Sequence, residues 1–288
     1  MNYTMMHEHM FIDLSVIKKS DDCRLDCKEE TIKELKELYK NGVRNIVEVT
    51  NIGIGRDIKY IQEVAKESGI NILISTGYYK EPFLPKEVST KTIEELAEKM
   101  IEEITIGIDG SEIKASIIGE IGTSKDKMTE LEKKNFMASA IAHLKTGVPI
   151  TTHTTLGTCG MEQVELFNKL GINLKKVIIG HLDLSGDEEY IELILKTGVN
   201  IEFDTIGKLS YLSDEIRADI LTSLINKGWE EQIVLSMDIT RKSHMQYLGG
   251  VGYNYLFDTF IPMLIERGVT KKSIEKLLRD NPNRILNI

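Results

Sequence analysis

Lys176-Val-Ile-Ile-Gly-His-Leu-Asp183 is the stretch from which the fold can be read. It is short and apolar, with no regular polar alternation. Runs of that kind are how a strand buried on both faces of a parallel sheet reads. A helical pattern, Tyr190–Lys196, follows it. Then come Thr197-Gly198 and a second apolar run, Val199–Thr205. A glycine placed there takes the left-handed conformation that ends a helix without steric cost.

The same unit recurs in both directions. Further candidate strands are Met6–Asp13, Asn45–Thr50, Asn71–Tyr79, Lys114–Gly122, Pro149–Thr155 and Gln232–Asp238. Helical spacing runs through Glu29–Tyr39, Thr92–Ile104, Glu130–Lys145 and Asp214–Asn226, with apolar residues on one side and Lys or Glu on the other. Glycines close the helices at Asn41-Gly42, Ser68-Gly69, Thr146-Gly147 and Leu170-Gly171. Strands alternating with helices predict an α/β protein, a (β/α)8 TIM barrel. The rival, a doubly wound open sheet of the dinucleotide-binding kind, lacks a glycine-rich turn after its first strand. No Pro-, Ser- or Gly-rich linker divides the chain, so residues 1–288 are read as a single domain.

Composition narrows the function. The 288 residues hold 36 Lys and Arg against 45 Asp and Glu, a net charge of −9. An acidic chain is a poor general binder of nucleic acid or anionic membrane, since both reward clustered cations. No apolar run approaches the length of a membrane span. Met1 to Met10 has neither a basic nor an apolar leader region. Cys23, Cys27 and Cys159 are too few and too odd in number for a disulfide framework, and Cys23 and Cys27 lack a second ligand pair for zinc. The expectation is three reduced thiols and a cytoplasmic protein. Partners are then a small-molecule substrate, with no nucleic acid and no membrane; a homodimer is compatible with the sequence.

In a barrel of this type, reactive groups sit at the C-terminal ends of the strands. His7 and His9 lie two apart on the first strand, so both imidazoles share a face. Glu120 ends the fourth strand, His153 lies on the fifth, His181 on the sixth, and Asp238 ends the eighth. Any one of these could serve packing or capping. Together, four imidazoles and two carboxylates in one mouth demand a compensating cation. Mixed imidazole and carboxylate suit Zn2+ and similar divalent metals. Six ligands exceed one tetrahedral site and suit two ions sharing a bridge. His143, on a helix, reads as structural, and His244 as a loop residue after the eighth strand.

At these residues the sequence resembles the phosphotriesterase family of the amidohydrolase superfamily, and most of all its homology-protein branch. The likeness runs through His7-Glu-His9, Asn51-Ile-Gly-Ile-Gly-Arg-Asp57, Thr76-Gly-Tyr-Tyr79, Gly119-Glu-Ile-Gly122, Thr151-Thr-His153, Gly180-His181, Phe203-Asp-Thr-Ile-Gly207, Ser236-Met-Asp238 and Asn281-Pro282. It implies a binuclear metal centre in which His7, His9 and Asp238 bind the buried ion, His153 and His181 the more exposed one, and Glu120 bridges them. Many relatives bridge with a carbamylated lysine; Lys125, in the loop past the fourth strand, is a poor substitute for Glu120.

The resulting expectation is hydrolysis of a lactone or other carboxylic ester, with a phosphorylated sugar lactone among the candidates. The cofactors expected are two divalent ions per chain, Zn2+ first, with Mn2+, Co2+ or Fe2+ as alternatives. Asp238 is the proton shuttle. Tyr79 is placed to help polarise a carbonyl, and Arg241 and Lys242, with Lys208, to anchor a substrate anion. The alternatives are phosphoester hydrolysis, amide or deaminase chemistry, and a metal-containing barrel that binds a ligand without turnover.

Overall fold

A computed structural model describes residues 2–288; Met1, where the single-domain reading of 1–288 begins, lies outside the described residues. Eight parallel strands form one sheet in sequence order: β1 (Tyr3–Glu8), β2 (Val43–Glu48), β3 (Asn71–Thr76), β4 (Ile117–Thr123), β5 (Ile150–Thr154), β6 (Val177–Gly180), β7 (Asn200–Phe203) and β8 (Ile233–Leu235). The helices between them are α1 (Lys28–Lys40), α2 (Ile58–Ser68), α3 (Ile93–Thr105), α4 (Glu130–Thr146), α5 (Gly160–Lys169), α6 (Glu188–Leu195) and α7 (Asp214–Asn226), with shorter helical pieces after β8. This is a single-domain (β/α)8 TIM barrel. Two helices, α2 and α5, were not delimited from periodicity, although their closing glycines were.

Local chemistry explains the element ends. Thr92 and Thr129 each open a helix with a capping box, their hydroxyls accepting from Glu95 N–H and Glu132 N–H while those glutamates reach back. At Gly119 the chains come so close that an added Cβ would lie 2.2 Å from the Thr151 carbonyl oxygen. Only glycine lets β4 approach β5 there, and Glu120 follows it directly.

Below the mouth, Val47, Ile117, Ile178 and Val234 meet in one buried cluster. They come from β2, β4, β6 and β8, so they form an inner layer contributed by alternate strands. The register His153↔Gly180 and Gly122↔His153 then sets the ends of β4, β5 and β6 level with one another.

β1 and β8 meet without a regular ladder. Asp238 N–H donates to the His7 carbonyl at 3.3 Å, and His7 N–H donates to Ser236 Oγ at 3.0 Å. The buried Glu8 carboxylate does the rest. It accepts from Ser236 Oγ at 2.8 Å, Met237 N–H at 2.7 Å and Ile239 N–H at 3.2 Å. One side chain thus supplies the acceptors that a neighbouring strand would supply. Glu8→Ala is expected to strand three buried donors and lower stability by about 3 kcal/mol or more, with Glu8→Gln losing less because an oxygen remains. Urea denaturation measures this; a loss under about 1 kcal/mol for the alanine variant would show that the seam does not depend on Glu8.

Among the described residues no helix is long and apolar enough to cross a membrane. Cys23, Cys27 and Cys159 are free thiols.

Candidate metal centre

The strand ends gather the six residues at one place. Glu120 is central to them: its Oε2 lies 3.1 Å from His153 Nδ1, 3.6 Å from His7 Nε2 and 3.6 Å from His181 Nε2, and its Oε1 lies 3.5 Å from His9 Nε2. Asp238 Oδ1 lies 3.2 Å from His9 Nε2 and 3.8 Å from His7 Nε2. His7, His9, Glu120, His181 and Asp238 are buried; His153 is partly so. His7, His9 and Glu120 form one group able to hold a metal ion, and Glu120, His153 and His181 form another.

The donor set fits such ions. His7 Nε2 and His9 Nε2 are buried without a hydrogen-bond partner. A buried polar atom left so costs free energy unless something fills the gap. The far sides of the rings are engaged instead. His9 Nδ1 lies 2.7 Å from Thr50 Oγ1, His181 Nδ1 2.8 Å from Asp204 Oδ1, and His7 Nδ1 3.2 Å from Glu202 Oε2. An Nδ1–H donating rearward fixes each ring and aims its Nε2 at the cluster, the arrangement common to metal-binding histidines.

Without an ion, rings and carboxylates balance one another: against the effect of burial, Asp238 and Glu120 raise the His9 pKa to about 10, and Asp204 and Glu120 raise that of His181. Burial alone would raise the Glu120 pKa, but His153, His181, His9 and His7 outweigh it and hold the carboxyl well below the usual range. Burial also opposes ionisation of Asp238, and Lys208, His9 and His181 overcome it. Both carboxylates are therefore charged at neutral pH. Burial, followed by the neighbouring His181, lowers His153 to about 3, so its imidazole is neutral and a lone pair is free for coordination.

Above the cluster lies a cavity of about 200 Å³, with Glu120, His153, His181 and Asp238 on its lining. Tyr79 follows β3, and its hydroxyl lies 3.2 Å from His153 Nδ1. Lys208 donates to Asp238 Oδ2. Arg241 lines the cavity and pairs with Asp22 at 3.6 Å. Lys242 does not line it; its ammonium is held 2.7 Å from Asp26. Lys125 is exposed in the loop, 3.9 Å from Asp126. His143 Nδ1 lies 2.7 Å from the Val148 carbonyl, away from the site. His244 lines the cavity, and its Nδ1 accepts from Thr240 N–H at 3.3 Å.

Glu202 and Asp204 were not singled out as site residues from sequence. A signal existed: two carboxylates spaced two apart in Ile201-Glu-Phe-Asp204, an otherwise apolar strand end, share a face. Asp204 serves two rings at once, since its other oxygen lies 3.4 Å from His7 Nδ1.

Fold and site together define a (β/α)8 barrel with a histidine–carboxylate centre at the C-terminal ends of its strands. The chain belongs to the phosphotriesterase family, whose model matches residues 1–286. It is 46% identical over 282 residues to the phosphotriesterase homology protein of Escherichia coli strain K12, covering 98% of this chain and 97% of that one. A crystal structure of the E. coli phosphotriesterase homology protein, complexed with phosphate in its active site, matches with a TM-score of 0.97 at 45% identity, over 99% of this chain and 98% of that chain. A lactonase from Listeria monocytogenes matches with a TM-score of 0.93 at 30% identity, over 99% of this chain and 94% of that chain. An N-acetyltaurine hydrolase of Dictyostelium discoideum is 34% identical over 297 residues, covering 99% of this chain and 80% of that protein. The relatives are hydrolases of more than one kind of bond, so the family supports a hydrolase and leaves the substrate to be argued from the pocket.

Proposed function

We propose that this chain is a hydrolase that opens a lactone or other carboxylic ester, using two divalent metal ions held by His7, His9, Glu120, His153, His181 and Asp238. The observation that carries this reading is the position of Glu120, within 3.6 Å of a ring nitrogen on each of four histidines. A carboxylate so placed would serve as a ligand common to two ions. Zn2+ is the ion this donor set suits. Bound there, such ions supply Lewis-acid polarisation of the substrate carbonyl and make water a competent nucleophile at neutral pH.

The chain's own residues do the rest. Asp238 faces the cavity and accepts the proton of the attacking water, then returns it to the departing alkoxide. Lys208, donating to Asp238 Oδ2, fixes that carboxylate. The Tyr79 hydroxyl points at the same floor and donates to the carbonyl oxygen as charge develops on it. Leu14, Phe83 and Leu184 line the cavity and exclude bulk water.

The test is elemental analysis of the purified protein together with a panel of lactones, aryl esters and phosphotriesters. The expected result is about two metal ions per chain, with lactones turned over best and chelation abolishing turnover. Turnover that survives complete chelation would overturn the metal reading, and a preference for phosphotriesters would overturn the ester reading.

A further inference from the structure

Four cations face this cavity in a protein of net charge −9: Lys18, Lys80, Lys208 and Arg241. Two of them are already spoken for, Lys208 by Asp238 and Arg241 by Asp22. The other two have no carboxylate: among the described residues no carboxylate oxygen lies within 4.0 Å of Lys18 Nζ, which is exposed, or of Lys80 Nζ, which donates to the Glu81 carbonyl at 3.1 Å, whereas Lys208, Arg241 and Lys242 each have one. The acidic side chain that acts most on Lys80 is Glu132, and its oxygens are committed to Ser124 Oγ at 2.6 Å, Thr129 N–H at 2.8 Å and Glu81 N–H at 3.2 Å.

The two ammonium groups also share an aromatic neighbour. Lys18 Nζ stands 5.6 Å and Lys80 Nζ 5.7 Å from the centre of the same ring, Phe83, and Lys80 Nζ lies 5.6 Å from the Tyr79 ring. Aromatic faces hold cations without neutralising them. The stem of Lys80 lies over Gly122, where an added Cβ would stand 3.1 Å from Lys80 Cβ and 3.2 Å from Lys80 Cδ. Burial, and to a smaller degree Lys18, lower the Lys80 pKa against the opposing pull of Glu132. Two ammonium groups lining one cavity, neither paired with a carboxylate, make an anion that arrives from outside the natural complement.

We propose that Lys18 and Lys80 form an oxyanion subsite on the β3 side of the cavity, so that the substrate is an ester or lactone bearing a carboxylate, sulfonate or phosphate group. Lys80 follows β3 and Lys208 follows β7, four strands around an eight-stranded barrel, so the two stand on opposite sides of the mouth. The bond to be broken sits between them, over Glu120 and Asp238. The substrate's charged group is thereby placed beside Tyr79, which sets which face of the carbonyl meets the cluster.

The kinetic part of the test rests on the ester-hydrolase reading; the binding part does not. The kinetic probes are one lactone in neutral, carboxylated and phosphorylated forms, assayed with the metal-loaded protein. Lys18→Met and Lys80→Met should each lower the ratio of kcat/KM for the charged over the neutral lactone by about 10-fold, mainly through KM, while Lys80→Arg keeps it. The carboxylated and phosphorylated forms distinguish which oxyanion the subsite prefers. Inorganic sulfate, a weak metal ligand, should bind the wild-type protein and lose affinity by a similar factor in both methionine variants. Unchanged ratios in both variants, or unchanged sulfate affinity, would overturn the subsite. Failure of every lactone to react would sink the ester reading alone, because sulfate binding would still report on Lys18 and Lys80.

Discussion

Glu120→Gln is expected to leave the protein with about one metal ion per chain, or a second ion held weakly, and to remove most of its turnover. The substitution keeps the size of the side chain and deletes its charge. Glu120 stands within 3.6 Å of all four imidazoles, whereas Asp204 reaches only His7 and His181, and those at Nδ1. With glutamine there, two dications would share Asp238 as their only charged protein ligand, and their repulsion would be poorly offset. Metal loading of the wild type should be indifferent to bicarbonate, because a glutamate carries its carboxylate permanently and a carbamylated lysine must form one. Lys125 is exposed and turned to Asp126, so it offers no replacement. Elemental analysis after dialysis decides the matter: two tightly held ions in Glu120→Gln would remove Glu120 from the bridging position.

Asp238→Asn is expected to fold, to retain much of its metal and to lose roughly 100-fold or more in kcat, the scale of general acid–base effects. The amide keeps an oxygen where Asp238 Oδ1 now lies 3.2 Å from His9 Nε2. It cannot take up a proton at the rates and pH of catalysis, and it gives up the ion pair with Lys208. KM should move much less than kcat, since the substrate's own contacts are unchanged. Near-wild-type kcat with full metal content would show that the proton goes elsewhere, His244 being another candidate on the cavity wall.

The barrel was legible because its signals are local. Each strand is a compact apolar run, and each turn into the next strand is marked by a glycine, with Gly69 and Gly147 at φ 78° and 77° just where the helices end. The six candidate ligands were legible for the same reason. Strand ends fix height and alternation fixes direction, so His7, His9, Glu120, His153, His181 and Asp238 converge as their spacing implied. What the sequence withheld depends on loops and distant partners. Arg241 and Lys242 are neighbours in the chain, yet one lines the cavity and the other turns to Asp26, a difference set by how the loop after β8 meets the segment after β1. That Lys18 and Lys80 share Phe83 likewise depends on where that same segment after β1 lies, which no periodicity encodes. Asp204 is visible as a residue, but its tie to both His7 and His181 exists only once β1, β6 and β7 are side by side.

The Glu8 seam has a bearing on how the molecule comes into being. The first strand of the barrel is closed by the last one, and Glu8 is the latch between them. His7 and His9 sit beside that latch, and Asp238 lies just past the strand it secures. A chain still in synthesis, or one cut short before β8, holds both histidines and Glu120 yet lacks the carboxylate from the far end and the donors that quiet Glu8. The six-residue set is therefore complete only once β8 has closed on β1, and the centre doubles as a proof of closure.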